Sequence, residues 1–186
     1  MADQGTEGIL SPWLRRRRLA AAAGHIVGRV LDFGCGSGEL ANIVPSNLYV
    51  GVDRDDVSLS HARLKYPQHC FVSNLSDELG LFDTIVSLAV IEHVQDPSAF
   101  LGDLAGYLAD MPNASLIVTT PHPNIDWAHD LGASLGLFSR HASEEHEDLL
   151  DKRKLADAGT KAGLKMESYR QFLFFANQLA LYKRRS

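Results

Sequence analysis

The sequence predicts an α/β chain in which helices cover both faces of a mostly parallel sheet, a doubly wound sandwich. Short apolar runs alternate with helix-like patterns, and the runs are continuous, as strands buried on both faces require. A glycine-rich stretch, VLDFGCGSGELANIV (Val30 to Val44), stands directly behind the first confident run and opens a helix, where such sheets seat a ligand.

The elements follow in order. Ser11-Pro12 starts a helix, serine as N-cap and proline at its first position, running through WLRRRRLAAAAG to Gly24. Arg15 to Arg18 point around more than a full turn, so they form no single nucleic-acid face; one or two of them can stand near an acidic ligand. RVLDF, LYVGVD, HCFVS, FDTIVSLAV and ASLIVTT read as strands. Between them, DRDDVSLSHARLKY has acids in its first turn and Val57 and Leu64 at helical spacing. DPSAFLGDLAGYL has Asp96 as N-cap, Pro97 in the first turn, and Phe100, Leu104 and Leu108 on one face. A helix from Leu149 to Ala162 ends at Gly163, a left-handed cap position. LKMESYRQF and NQLALYKR close the chain as an antiparallel pair, because only a short link separates them.

With 186 residues, 45% of them apolar, one substantial core and a single domain over residues 1–186 are expected, with 1–10 a flexible terminus. The net charge of −5 argues against a nucleic-acid partner. No apolar run approaches the roughly 20 residues of a membrane span, and no secretory signal opens the chain. Two cysteines, Cys35 in the loop and Cys70 at a strand, make no disulfide framework, so a soluble, cytoplasmic setting is the expectation.

The loop's ligand can be narrowed by charge. A dinucleotide fingerprint needs a third glycine where this chain has Glu39, whose carboxylate would face a pyrophosphate; this disfavours a dehydrogenase. No Gly-Lys-Ser/Thr follows, so it is not a phosphate P-loop either. The pattern is Gly34, Gly36 and Gly38 behind Asp32, and an acid beside bare backbone suits an amino-acid moiety. Asp53 lies 19 residues beyond Gly34, where an acid holds a ribose diol. An amino acid and a ribose in one crevice point to S-adenosylmethionine.

At these residues the sequence resembles the class I S-adenosylmethionine-dependent methyltransferases, especially the branch with ubiquinone-biosynthesis and small-molecule O-methyltransferases. VLDFGCGSGEL, YVGVDRDD, FDTIVSLAVIEHVQDP and LIVTTPHP resemble four of the family's motifs in order, and the likeness runs from Val30 through the last strand. The resemblance implies a Rossmann-like seven-stranded sheet of order 3-2-1-4-5-7-6 with the last strand antiparallel. It also implies that Gly34, Gly36 and Gly38 line the methionine moiety, with Asp32 supporting the loop. Asp53 would hold the ribose and Arg54 lie near the adenine face. Asn74 stands where the family usually has an aspartate for the adenine amino group, with Leu75 beside it. Ser87 and Leu88 would meet the amino-acid end through their backbone.

The sulfonium methyl is already electrophilic, so holding a nucleophile in line supplies much of the catalysis, and a base helps chiefly a hydroxyl acceptor. Five of eight histidines follow the fourth strand: His93, His122, His129, His141 and His146. His93 and His122 are the candidate catalytic bases, beside a purely structural reading of Glu92-His93. Some relatives bind a divalent cation through E-x-x-E-H. Here the run is Ala89 to His93 without the first carboxylate, and Glu144, Glu145 and His146 would have to fold back to help, so no metal is predicted. Residues 121–147 read as an acceptor-site lid or loop, with Trp127, Leu131, Leu135, Leu137 and Phe138 as its apolar side chains. The expected acceptor is a small molecule methylated on a hydroxyl, a sugar or a phenol. The rival readings are an N-methyltransferase or RNA-directed enzyme, whose Asn/Asp-Pro-Pro-aromatic motif is absent at Ser87 to Val90, and a non-catalytic S-adenosylmethionine-binding domain.

Overall fold

Seven strands form one sheet in the order β3-β2-β1-β4-β5-β7-β6, as expected. They are β1 (Val30–Phe33), β2 (Tyr49–Val52), β3 (Cys70–Val72), β4 (Thr84–Leu88), β5 (Ser115–Pro121), β6 (Leu164–Phe172) and β7 (Asn177–Arg184). In this computed structural model residues 11–123 and 150–185 are described. The strands pair parallel except β7, which runs antiparallel to both β5 and β6. The order reverses between β1 and β4, so a crevice opens at their carboxyl ends.

Among the described residues four α-helices flank the sheet: α1 (Ser11–Ala23), α2 (Asp56–Lys65), α3 (Pro97–Gly106) and α4 (Lys152–Lys161). One core gathers Leu31, Ile85 and Leu116 with Leu101 and Leu104 of α3 and Leu155 of α4. The other gathers Val30, Val86 and Ile117 with Ala22 of α1 and Leu59 of α2. Neighbours in one strand, such as Val30 and Leu31, therefore feed opposite layers, which explains the continuous apolar runs. Asp55, Asp96 and Asp151 cap α2, α3 and α4 by accepting backbone N–H bonds, and Gly163 closes α4 at φ +74°.

Some expectations are corrected. No α-helix follows the glycine loop; a single 3-10 turn at Glu39–Asn42 stands there. Pro45 lacks an N–H and disfavours helix before it, so the space allows one turn only. Helix α2 buries Leu59 and Ala62 and leaves Val57 and Leu64 exposed. Ser11 already belongs to α1, so it is not an N-cap preceding it. Helix α4 begins at Lys152, three residues after Leu149. The lid residues Trp127 to Phe138, with His129, His141, Glu144, Glu145 and His146, lie outside the described residues, as do residues 1–10. Among the described residues no helix is long and apolar enough to cross a membrane.

The β6–β7 turn is built of side-chain-bearing residues in glycine-like conformations. Leu173, Phe174 and Phe175 all take positive φ, 54°, 53° and 70°, and both phenyl rings are exposed. Each costs about 1–2 kcal/mol relative to the right-handed region. Ala176 ties this turn to β5, its carbonyl accepting from His122 N at 3.0 Å.

Candidate functional site

The glycine loop is pinned by backbone to the neighbouring strand. Gly34 N and Cys35 N both donate to Val52 O, at 2.8 and 3.0 Å. Gly36 N donates to Asp53 Oδ2 at 2.7 Å, and Asp55 N donates to Asp53 Oδ1 at 2.9 Å. One carboxylate therefore joins the loop to the start of α2. Two of its four lone-pair positions are used, leaving acceptor capacity for a diol.

Two glycines show why the loop must be bare. At Gly34, φ is +77° and a Cβ would lie 2.4 Å from Val90 Cγ2, so the turn after β4 packs directly on the backbone. At Gly36, φ is +50° and a Cβ would meet nothing within 4 Å. That position needs its conformation, while its open face is left for a ligand. Opposite it, Ala89 adopts φ 59° and its N–H donates to Thr119 O at 2.9 Å, which ends β4 in a sharp turn.

Beneath the loop, Asp32 is buried and accepts from Tyr49 Oη at 2.8 Å. Burial pushes its carboxyl up to about 7; the Tyr49 bond opposes this and the nearby Asp53 charge adds to it. Burial likewise raises the Cys35 thiol and the Tyr49 phenol. Cys35 and Cys70 are both free thiols.

A cavity of about 100 Å³ lies between this loop and α1. Asp32, Gly34, Gly36 and Leu88 line it. Arg15, Arg18 and Leu19 of α1 form its other wall, while Arg16 and Arg17 are exposed. Arg18 Nε donates to Oδ1 of the fully buried Asn177 at 2.8 Å, which fixes the guanidinium at the cavity that Asp32 also lines. Burial lowers the pKa of Arg18 and raises that of Glu92, and each charge opposes the other's shift. An acid, a guanidinium and bare backbone in one lining match the ammonium and carboxylate of an amino acid.

The remaining expected residues fall elsewhere. Gly38 takes the left-handed turn inside the loop at φ +76°. Asp53 is half-buried and Arg54 exposed beyond the end of β2. Asn74 is exposed, its amide donating to Ser73 Oγ at 3.2 Å, and Leu75 packs partly against the core. Ser87 is fully buried at the end of β4. His93 is exposed in a 3-10 turn, whereas His122 is buried just past β5 and faces a separate cavity. Sequence reasoning left Arg15 and Arg18 unassigned, although their i, i+3 spacing places them on one helix face; Tyr49 and Asn177 carried no signal at all.

The carboxyl end of the sheet also holds buried polar atoms without a hydrogen-bond partner among the described residues. They are Ser87 Oγ, Thr119 Oγ1, Thr120 Oγ1, Asn177 Nδ2 and Glu92 Oε2. The Thr120 hydroxyl stands near the Glu92 carboxyl and tempers its rise, without completing a bond. No group of three or more potential metal-ligating side chains occurs among the described residues.

A seven-stranded sheet of this order, with a glycine loop at its reversal point and an acid closing the second strand, defines the class I S-adenosylmethionine-dependent methyltransferases. The sequence pattern of the family described as "Methyltransferase domain" matches residues 9–169, and the chain belongs to that family. A Mycolicibacterium smegmatis protein named "Probable S-adenosylmethionine-dependent methyltransferase/" is 29% identical over 119 residues, covering 59% of this chain and 46% of that protein. The ubiquinone biosynthesis O-methyltransferase of Rhodopseudomonas palustris is 31% identical over 107 residues, covering 52% of this chain and 41% of that protein. The matches thus span less than half the length of these curated relatives. Among solved structures, magnesium protoporphyrin IX methyltransferase from Synechocystis with bound S-adenosylhomocysteine superposes with TM-score 0.64 at 19% identity, over 98% of this chain and 90% of that one. A Clostridium acetobutylicum S-adenosylmethionine-dependent methyltransferase gives TM-score 0.67 at 14% identity, over 97% and 94%. At these identities the likeness is one of fold.

The open face over Gly36 and the opposed charges of Asp32 and Arg18 fit S-adenosylmethionine, the cofactor of this family. When bound, it supplies an electrophilic sulfonium methyl.

Proposed function

We propose that the protein transfers the methyl group of S-adenosylmethionine to a hydroxyl oxygen of a small-molecule acceptor. The observation that carries this reading is the cavity that Asp32, Arg18 and the bare backbone of Gly34 and Gly36 line together. In it, Arg18, held by Asn177, takes the carboxylate, with Arg15 adding positive charge. Asp32, poised near neutrality, ionises to meet the ammonium. Asp53 accepts the ribose hydroxyls through its unused lone pairs, and Arg54, Asn74 and Leu75 border the adenine. The backbone at Ser87 and Leu88 closes the amino-acid end.

The acceptor side lies past β4 and β5. His122, buried at the end of β5, takes the hydroxyl proton there. His93, exposed on the turn after β4, is the second candidate for that role. Positioning the oxygen and excluding water supply most of the acceleration.

The test has two stages. Calorimetry with S-adenosylmethionine and S-adenosylhomocysteine should give 1:1 binding. Transfer of labelled methyl to a panel of hydroxylated and amine-bearing small molecules should then label oxygen. Binding without transfer to any acceptor would favour the non-catalytic reading, and transfer confined to amines would defeat the hydroxyl assignment.

A further inference from the structure

A second cavity, of about 640 Å³, opens at the carboxyl ends of β5 and β6, against the start of α4. It is an open depression, wide enough to admit a small organic molecule. His122, Lys152, Arg153, Tyr169 and Gln171 line it, with Asp151 among them.

Its charge runs against that of the whole chain, which carries −5. Lys152 and Arg153 bring two cations to the first turn of α4, where the helix amides also favour an anion. Among the described residues Asp151 is the one carboxylate in the lining, and it is already engaged. It caps α4 by accepting from Lys154 N at 2.7 Å, a bond that holds its pKa below the usual carboxylate range. The Lys152 ammonium sits 5.2 Å from the centre of the Tyr169 ring, which steadies a long side chain inside the cavity. Tyr169 is itself fixed, its hydroxyl donating to Gln178 Oε1 at 3.0 Å.

A polar row leads from this cavity across the sheet to β5. Gln171 of β6, Gln178 of β7 and Thr120 of β5 occupy one register line across the sheet. Gln178 is locked, its amide donating to the carbonyls of Pro121 and Leu150. At the far end of the row Thr120 Oγ1, fully buried, and Glu92 Oε2 have no hydrogen-bond partner among the described residues. Buried polar atoms are seldom left so.

We infer that this cavity is the acceptor site, and that it selects a hydroxylated small molecule bearing an oxyanion, a carboxylate or a phosphate. This deepens the methyl-transfer reading above and rests on it. The oxyanion lies against Lys152 and Arg153, and the hydroxyl points along the row to His122 and Thr120.

The test uses protein saturated with S-adenosylhomocysteine and two matched pairs of probes, followed by calorimetry or ligand-observed NMR. The pairs are 4-hydroxyphenylacetate with 4-hydroxyphenylacetamide, and glycerol 3-phosphate with glycerol. The anionic member of at least one pair should bind about tenfold more tightly than its neutral partner. Which pair responds tells carboxylate from phosphate. The double variant Lys152→Glu/Arg153→Glu should lose the preference and keep its S-adenosylhomocysteine affinity, because acids in the first turn of a helix do not impair folding. Lys152→Gln alone should lose part of the preference. Equal binding of neutral and anionic probes, no anion binding at about 10 mM, or a preference that survives the double variant would each overturn the inference. Should S-adenosylhomocysteine itself not bind, the cofactor reading fails instead, and the anion preference is then read on ligand-free protein.

Discussion

At the carboxyl ends of β1 and β2 the groups offered to a ligand are mostly main chain. Gly34, Cys35 and Gly36 hang from Val52 O and Asp53 by bonds of 2.7–3.0 Å, and few side chains take part. At the carboxyl ends of β5 and β6 the offer is mostly side chains: His122, Lys152, Arg153, Tyr169 and Gln171, drawn from three separate stretches. A cofactor shared by a whole family can be met by backbone, whose geometry survives most substitutions. An acceptor particular to one enzyme is met by side chains, which can be exchanged without disturbing the sheet.

The contrast can be broken most decisively at the loop. Gly36→Val places a β-branched residue at φ +50° and fills the open face. It should cost about 1–2 kcal/mol in stability and lower S-adenosylmethionine affinity by about a hundredfold or more, read by thermal melting and calorimetry. Normal binding by this variant would move the cofactor out of the loop. Asp53→Ala removes the acceptor for Gly36 N and Asp55 N together. A loss of about 10- to 100-fold in affinity is expected, since hydrogen bonds to a charged group are among the stronger ones. Arg18→Met should weaken S-adenosylmethionine about tenfold. It should leave 5′-methylthioadenosine, which lacks the carboxylate, unaffected; equal losses for both would assign Arg18 a structural role alone.

The pH dependence tests the acid under the loop. Asp32 titrates at about 7 in the folded chain, against about 3.9 for an unfolded aspartate. The folded state therefore favours the proton, and stability contributed by the neutral form is lost as pH rises from about 4 through 7. Melting curves should show that decline in wild type and not in Asp32→Asn. Cofactor affinity should move the other way, rising several-fold between about pH 6 and 8 as the carboxylate forms to face the ammonium. The smallest effect belongs far from both sites. Tyr182→Phe deletes a buried hydroxyl bonded to Leu155 O at 3.0 Å. It should cost about 1 kcal/mol in stability with cofactor affinity unchanged.

Most strands were legible because continuous apolar runs have one simple solution, burial on both faces. The aspartate caps were legible because Asp55, Asp96 and Asp151 act on amides two or three residues away. The buried face of α2 was not. Val57 and Leu64 share a helical spacing, but Leu59 and Ala62 fit the sheet, and two positions seven apart cannot decide between faces. The missing helix after the loop follows from Pro45, whose effect on the preceding residues outweighed the glycine pattern. At the site, Gly34 to Gly38 and Asp53 speak through local spacing. Tyr49 with Asp32, and Asn177 with Arg18, are pairs made by folding, separated by 17 and 159 positions. No window along the chain contains them.

The Arg18–Asn177 bond also bears on how the protein is made. Arg18 leaves the ribosome long before the strand that begins at Asn177, and β5 lacks its antiparallel neighbour until then. A nascent chain halted before β7 would present the glycine loop and Asp53 with no anchored guanidinium opposite. If Arg18 holds the cofactor as proposed, S-adenosylmethionine would be grasped firmly only once β7 is in place.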